Sequence, residues 1–224
     1  MTTVLSWSGG KDAAYALYAL HRRGEPVSEL LTTITGEYDR SSMHGVRRSL
    51  YDRQARAIGC SIRYVDLPTT PADDEYAAIF ERVVADYATQ GVTSLAFGDL
   101  FLEDVRAYRE DRLTDTPVAG TWPLWGMDTE ALARAVVAAG FRATVVAVDG
   151  SKLDASAVGR PYDEAFLASL PSDVDPCGEH GSFHTFVWDG PVFDEPVAVE
   201  VGETVTRPVG ETPYHFADLR AVGE

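Results

Sequence analysis

The first half of the chain alternates short apolar runs with stretches in which apolar residues recur every three or four positions. The apolar runs predict strands at Thr3–Trp7, Leu30–Thr35, Ile62–Leu67 and Ser94–Gly98. The periodic stretches predict helices at Lys11–Arg23, Val46–Ile58, Asp73–Gln90 and Glu103–Leu113. Strands that alternate with helices form a parallel sheet covered by helices, so this half predicts an α/β, Rossmann-like domain.

The pattern changes near residue 116. Residues 116–126 are rich in Gly, Pro and Trp and predict a loop. A helix over Thr129–Ala139 and a short helix after Pro161 are predicted beyond it, with strands at Ala143–Val148, Phe183–Trp188, Val197–Val201 and Tyr214–Ala221. We therefore predict two domains, residues 1–118 and residues 119–224, of which the second is a smaller, mixed α+β domain.

The run Ser8-Gly9-Gly10-Lys11-Asp12, which we call the phosphate loop after the ligand that it predicts, joins the first predicted strand to the first predicted helix. Two glycines let successive N–H groups point at one spot, and the helix adds the positive end of its dipole. Lys11 would supply a mobile cation, and Asp12 could hold Mg²⁺. The alternative is a tight turn whose glycines serve only packing. The combination predicts a phosphate-bearing substrate, with ATP as the first candidate.

Composition limits the partners. The chain of 224 residues carries a net charge of −16, and its acidic residues are concentrated after residue 60. That part would repel a polyanion, so extensive nucleic-acid binding is disfavoured. No apolar run approaches the roughly 20 residues of a membrane helix, and no basic leader precedes the first strand. We expect a cytoplasmic protein without a membrane partner.

Lysine is rare among the charged residues, and acidic residues are abundant. Lys11 and Lys152 are the two lysines among nineteen basic residues, against thirty-five acidic ones. Such a surface is typical of halophilic proteins, and the alternative is an acidic protein from a GC-rich genome. Cys60 and Cys177 lie far apart and form no C-x-x-C pair, which disfavours a zinc site and a disulfide framework. Cys177 is either a packed or a reactive thiol.

Two polar segments follow predicted strands. Residues 35–48 could line an adenine and ribose, with His44 near the start of the next helix, or could be a surface loop. Gly98 and Asp99 end the fourth strand at the same sheet edge as the phosphate loop, where open α/β sheets bind ligands. Asp99 would bind Mg²⁺ or orient a nucleophile there, although a helix N-cap fits the spacing equally well.

Two further segments carry charged residues. Arg106 and Arg109 share one helix face beside Glu110, which favours surface ion pairs and leaves an anion clamp as the alternative. In the stretch 175–191, Glu179 and His184 could serve acid–base chemistry or bind a metal, although a simple turn also explains them. Their spacing matches no standard zinc motif.

Five of these motifs, in this order, resemble the diphthine–ammonia ligase family of the PP-loop ATP pyrophosphatases over essentially the full length. They are the phosphate loop, Gly98-Asp99 and the segments 108–110, 123–126 and 178–185. The resemblance implies an adenine nucleotide α-hydrolase-like sheet followed by a substrate-side domain. It implies that the enzyme uses ATP, bound with Mg²⁺, to adenylate a carboxylate. Ammonia then displaces AMP to give an amide. In the archetype the carboxylate belongs to diphthine on translation elongation factor 2. The resemblance leaves a homo-oligomer open.

The resemblance also implies residue roles. The catalytic residues would be Lys11, Asp12, Asp99 and Glu179, with Asp12 on the metal. ATP would contact Ser6, Ser8, Gly9, Gly10, Lys11, Asp12, His44 and Gly98. The acyl substrate would contact Tyr108, Arg109, Trp125, Gly126, Glu179, His184 and Thr185.

Two positions depart from the family pattern. Ala13 stands where the loop usually ends in Ser, and Ser182 stands where archaeal and eukaryotic ligases show Glu. A different carboxylate, as in cobalamin-related amidation, therefore remains an alternative substrate. A nucleotide-binding regulatory module is a second alternative. The related tRNA thiolation enzymes predict paired cysteines and a basic surface, and this sequence offers neither.

Overall fold

A parallel sheet forms the first half of the molecule in the computed structural model, which describes residues 2–69 and 72–223. Its strands are β1 (Thr3–Ser6), β2 (Val27–Thr35), β3 (Ser61–Leu67), β4 (Ser94–Ala96) and β5 (Ala119–Thr121). Their order across the sheet is β3-β2-β1-β4-β5, and all four pairings are parallel. The helices are α1 (Lys11–Arg22), α2 (Arg48–Ile58), α3 (Asp73–Thr89) and α4 (Glu103–Leu113). The predicted Rossmann-like architecture is confirmed.

An antiparallel sheet forms the second half. It consists of β6 (Arg142–Asp149), β7 (Phe183–Asp189), β8 (Val199–Val209) and β9 (Thr212–Ala221), in the order β7-β6-β9-β8. Two helices, α5 (Thr129–Ala138) and α6 (Glu164–Ala168), precede β6 and β7. The predicted mixed α+β second part is confirmed.

Two details differ from the prediction. The predicted loop at 116–126 contains β5, which pairs with β4, so the first sheet extends beyond residue 118. Its sequence, Ala-Gly-Thr, has no apolar run to reveal it. Strand β8 continues to Val209, beyond the predicted end at Val201. It is an edge strand with exposed side chains, so no apolar pattern in the sequence marks its full length.

The two sheets meet at the phosphate loop. Strand β7 is the other edge of the antiparallel sheet, and Val187 N–H donates a hydrogen bond of 2.9 Å to the carbonyl of Gly9. Leu5 and Leu17 from the first half and Phe183 and Phe186 from the second belong to one continuous buried cluster. This junction sets the position of the candidate site. Within the described residues, no helix is both long and apolar enough to span a bilayer.

Candidate active site

The phosphate loop forms the floor of the candidate site. Gly9 has φ +73°, and a Cβ there would lie 2.7 Å from the Tyr51 ring, so the position needs glycine. A Cβ on Gly10 would lie 3.1 Å from the Thr185 carbonyl. The helix α1 begins directly after Gly10, at Lys11. The strand, glycine turn and helix therefore follow one another as the sequence predicts.

Gln54 holds the loop in place from α2. Its side chain is fully buried, and its amide nitrogen donates to the carbonyls of Gly9 at 3.0 Å and Val187 at 2.6 Å. Its amide oxygen accepts a hydrogen bond of 2.9 Å from Trp7 Nε1. Sequence reasoning gave Gln54 no role. The available signal was an amide on the face of α2 that the periodicity predicts to be buried.

Lys11 is fixed rather than mobile, which corrects the expectation from the sequence. It is 2% exposed, and Nζ donates to both Asp12 carboxylate oxygens, at 2.8 and 3.0 Å, and to the Cys177 carbonyl. The rings of Tyr162 and Phe183 lie 5.6 Å from Nζ. Burial acts to lower the pKa of Lys11, but the Asp12 carboxylate, together with Cys177 and Tyr162, more than offsets it and the pKa lies above its usual range. Lys11 is therefore a permanent cation at the start of α1, directly after the two glycines of the loop.

A cavity of about 460 Å³ separates the phosphate loop from residues 177–185, which we call the facing turn. The backbone N–H of Lys11 donates a hydrogen bond of 3.1 Å to Thr185 Oγ1, which joins the two sides at the base. The cavity brings together residues for which the sequence predicts phosphate, catalytic and substrate roles: Gly10, Lys11, Asp12, His44, Glu179, His184 and Thr185.

Glu179 lies at the start of a short 3₁₀ turn, residues 179–181, between Gly178 at φ +76° and His180 at φ +56°. Burial raises the pKa of the Glu179 carboxyl to about 7, and the neighbouring carboxylate of Asp12 adds to the effect, as do those of Asp175 and Asp99. Lys11 opposes the shift. Glu179 can therefore accept or donate a proton near neutral pH, as acid–base catalysis requires.

Two histidines from different halves of the chain meet above the loop. The ring centroids of His44 and His184 are 4.6 Å apart. Burial lowers the pKa of both imidazoles, to about 4 for His184, and the Lys11 charge lowers each further. The repulsion between the two rings also lowers the pKa of His44. Both rings are neutral at pH 7.

Asp99 and Arg109 lie on the β4–α4 side and form an ion pair with each other, outside the lining of the cavity. Burial raises the pKa of Asp99, and Arg109 opposes the effect. The Arg109 guanidinium also lies 4.2 Å from the Phe97 ring centroid, and Arg106 pairs with Glu110 at 2.7 Å. Both arginines thus form ion pairs, as the sequence favours, and the contact of Arg109 with a substrate stays a prediction.

The remaining predicted residues border the site without lining the cavity. The Ser8 hydroxyl accepts a hydrogen bond of 3.3 Å from Gly10 N–H, and Ser6 ends β1. A Cβ on Gly98 would lie 3.2 Å from the Ala13 nitrogen, so glycine allows the strand end to approach α1. The aromatic and glycine positions predicted to contact the acyl substrate lie outside the cavity lining: Tyr108, Trp125 and Gly126.

The described residues contain no cluster of three or more metal-ligating side chains. Mg²⁺ usually binds through one or two carboxylates and substrate phosphates, and the partly exposed Asp12 carboxylate beside the loop fits that donor set. Cys177 is a packed thiol, because burial raises its pKa to about 12 and Sγ donates to the Thr129 carbonyl.

A glycine turn at the carboxyl end of a parallel strand, facing an antiparallel unit across a cavity, defines an α/β protein with a candidate ligand site at the sheet edge. Comparison with known families narrows this class. The chain belongs to the diphthamide synthase family: the model of the N-terminal domain matches residues 1–114, and that of the C-terminal domain matches residues 128–210.

Named relatives agree with the family. The diphthine–ammonia ligase of Bos taurus is 25% identical over 225 residues, which cover 89% of this chain and 83% of the relative. The Homo sapiens enzyme of the same name is also 25% identical over 225 residues, covering 88% and 82%. A solved structure, a predicted tRNA methyltransferase subunit from Methanocaldococcus jannaschii, aligns with a TM-score of 0.39 at 15% identity, over 70% of this chain and 84% of that one. That structural likeness is too low to support an argument about function.

Proposed function

We propose that the chain is an ATP-dependent, AMP-forming amide ligase. ATP adenylates a carboxylate with release of pyrophosphate, and ammonia then displaces AMP to give the amide. The observation that supports this most is the cavity, which brings a glycine phosphate loop with a permanent cation against a carboxyl group that titrates near neutrality. The family assignment adds independent support.

The residues of the two sides take different roles in this proposal. The fixed Lys11 cation would stabilise the charge that develops on pyrophosphate, and Asp12 would hold Mg²⁺, which neutralises further phosphate charge. Glu179 would accept a proton from the ammonium ion or from the attacking nitrogen. Asp99, which lies outside the cavity lining, would contribute through its charge on Glu179.

The proposed carboxylate is diphthine on translation elongation factor 2, because the named relatives are diphthine–ammonia ligases. A second candidate is another carboxylate, favoured by the facing turn. Ser182 is buried there and its hydroxyl lies 3.1 Å from Lys152 Nζ, at the position where the archaeal and eukaryotic ligases carry Glu. The cytoplasmic location and the salt adaptation stay predictions from composition.

A pyrophosphate-release assay with Mg·ATP, ammonium and a panel of carboxylates, including diphthine-bearing elongation factor 2, tests the proposal. We expect pyrophosphate and AMP to form only when an acyl substrate is present. Tight ATP binding without turnover on any carboxylate would favour the regulatory module instead. Release with a small carboxylate but not with the elongation factor would favour the second candidate.

A further inference from the structure

The histidine pair, His44 and His184, lines the cavity beside the phosphate loop. His184 Nε2 is buried and lacks a hydrogen-bond partner among the residues that the structure describes. A buried polar atom without a partner is unfavourable, so this atom is suited to a ligand atom in the cavity. His44 lies directly over the loop, because a Cβ on Gly10 would be 3.2 Å from His44 Nε2.

The charges around the pair explain why both rings are neutral. The charge that acts on both rings is the buried Lys11 cation, which adds to the effect of burial. The Asp12 carboxylate, which lines the same cavity, accepts its hydrogen bonds from Lys11. The titratable and charged groups that line the cavity around the pair are Lys11 and Asp12 from α1, Cys177, Glu179 and His180 from the facing turn, and Tyr214 from β9.

We propose that His44 and His184 contact the phosphates of bound ATP and change protonation state with it. The pair takes up one proton from the solvent when the nucleotide binds and releases that proton when pyrophosphate leaves. The inference rests on the proposed function, because it requires ATP at the phosphate loop. It moves His184 from the acyl-substrate role that the sequence predicts to the phosphate side of the cavity.

The size of the effect follows from the charge of the ligand. One negative charge about 4 Å from an imidazole, at the effective dielectric constant of a partly buried site, is enough to bring the pKa of His184 from about 4 close to neutrality. A triphosphate carries several such charges. A protonated pair would then stabilise the negative charge that develops on departing pyrophosphate, in addition to the stabilisation that Lys11 provides.

Imidazole nitrogen NMR tests the inference directly, because the chain has five histidines and each can be assigned from a His→Asn variant. The probe is a non-hydrolysable Mg·ATP analogue at pH 6, between the pKa of His184 in the free protein and its raised value. We expect the His44 or His184 signal to change from neutral to cationic on saturation, while His21, His180 and His215 stay as they were. Saturation that shifts the Gly9 and Gly10 amides but leaves both rings neutral would overturn the inference and leave the proposed function standing. If the Gly9 and Gly10 amides do not shift even at a high concentration of the analogue, both the inference and the proposed function are contradicted.

Analogue affinity between pH 5 and pH 7, the interval between the pKa of His184 in the free protein and its raised value, gives a second measurement. It is made in the Glu179→Gln background so that Glu179 does not titrate. We expect the dissociation constant to rise by up to about tenfold per pH unit, the limit for one linked proton. His184→Asn should flatten this dependence. His180→Asn is the matched control, since His180 lines the same cavity and Asn tolerates its φ of +56°. The inference fails if His44→Asn and His184→Asn both keep the slope or if the control loses it.

Discussion

The two sides of the cavity differ in how firmly their charges are set. On the phosphate-loop side, Lys11 has three acceptor oxygens and remains cationic across the working pH range. On the facing turn, Glu179 titrates near pH 7, His184 is neutral, and His180 adopts a left-handed backbone conformation. A constant charge suits the binding of a polyanion, whereas groups that change charge suit proton transfer. The contrast suggests that the two halves divide these tasks between them.

Loss of the fixed cation should have the largest effect. We expect Lys11→Ala to reduce pyrophosphate release by about 1,000-fold, because the charge on the leaving group loses its stabilising partner. The variant should also lose about 3 kcal/mol of unfolding free energy, since the Asp12 carboxylate and the Cys177 carbonyl lose their shared donor. Lys152→Ala removes the other lysine, whose side chain is exposed, and should change stability by less than about 1 kcal/mol. Unchanged turnover in the Lys11 variant would remove it from the mechanism.

Glu179 gives the next largest effect, and it depends on pH. If the ionised carboxylate accepts the proton, turnover should rise with pH and level off above about 7. Glu179→Gln should be slower by about 100-fold and lack that rise. Initial rates from pH 5.5 to 8.5 measure both. Glu195→Gln, at an exposed carboxylate, should retain the wild-type profile.

The same carboxyl group has a linked effect on stability. Because its pKa is raised in the folded state, folding favours the protonated form, and the contribution of Glu179 to stability declines as pH rises from about 4.5 to about 7. Glu179→Gln should therefore raise the melting temperature relative to wild type at pH 8 and leave it little changed at pH 5. The opposite order would contradict the raised pKa.

The variant Gln54→Leu tests whether the Gln54 side chain on α2 fixes the position of the phosphate loop. Gln54→Leu would leave the Trp7 indole N–H without its acceptor and remove one donor each from the Gly9 and Val187 carbonyls, at a loss of about 3 kcal/mol in urea unfolding. Arg56→Leu, on the exposed face of the same helix, should stay within about 0.5 kcal/mol of wild type. Equal stability of the two variants would show that Gln54 does not fix the loop.

The smallest effect is expected at the bond that joins the two sides. Thr185→Val keeps the side-chain shape but removes the acceptor for the Lys11 N–H, at a loss of about 1 kcal/mol. Thr33→Val, at an exposed position of β2, provides the comparison and should fall within about 0.5 kcal/mol. A larger loss at Thr33 than at Thr185 would contradict this assignment.

The sequence predicts the local parts of this site well. The order of strand, glycine pair and helix at residues 3–22 depends on neighbouring residues, so the pattern reveals it. The meeting of Lys11, Glu179 and His184 was reached through the family resemblance, because no local pattern relates residues so far apart. Burial of Lys11 and the role of Gln54 were not predictable, because both depend on β7 docking against the loop. Trp125 and Tyr108 were grouped with the substrate residues by motif, although the fold sets them outside the cavity lining.

The docking of β7 against the phosphate loop affects how the chain holds together. The Val187–Gly9 hydrogen bond and the shared buried cluster join the halves across the 122–128 connection. A protease cut in that connection should consequently leave two fragments that co-elute under native conditions, and the intact chain should melt in a single transition. Separated from its partner, each half would expose its side of that shared cluster.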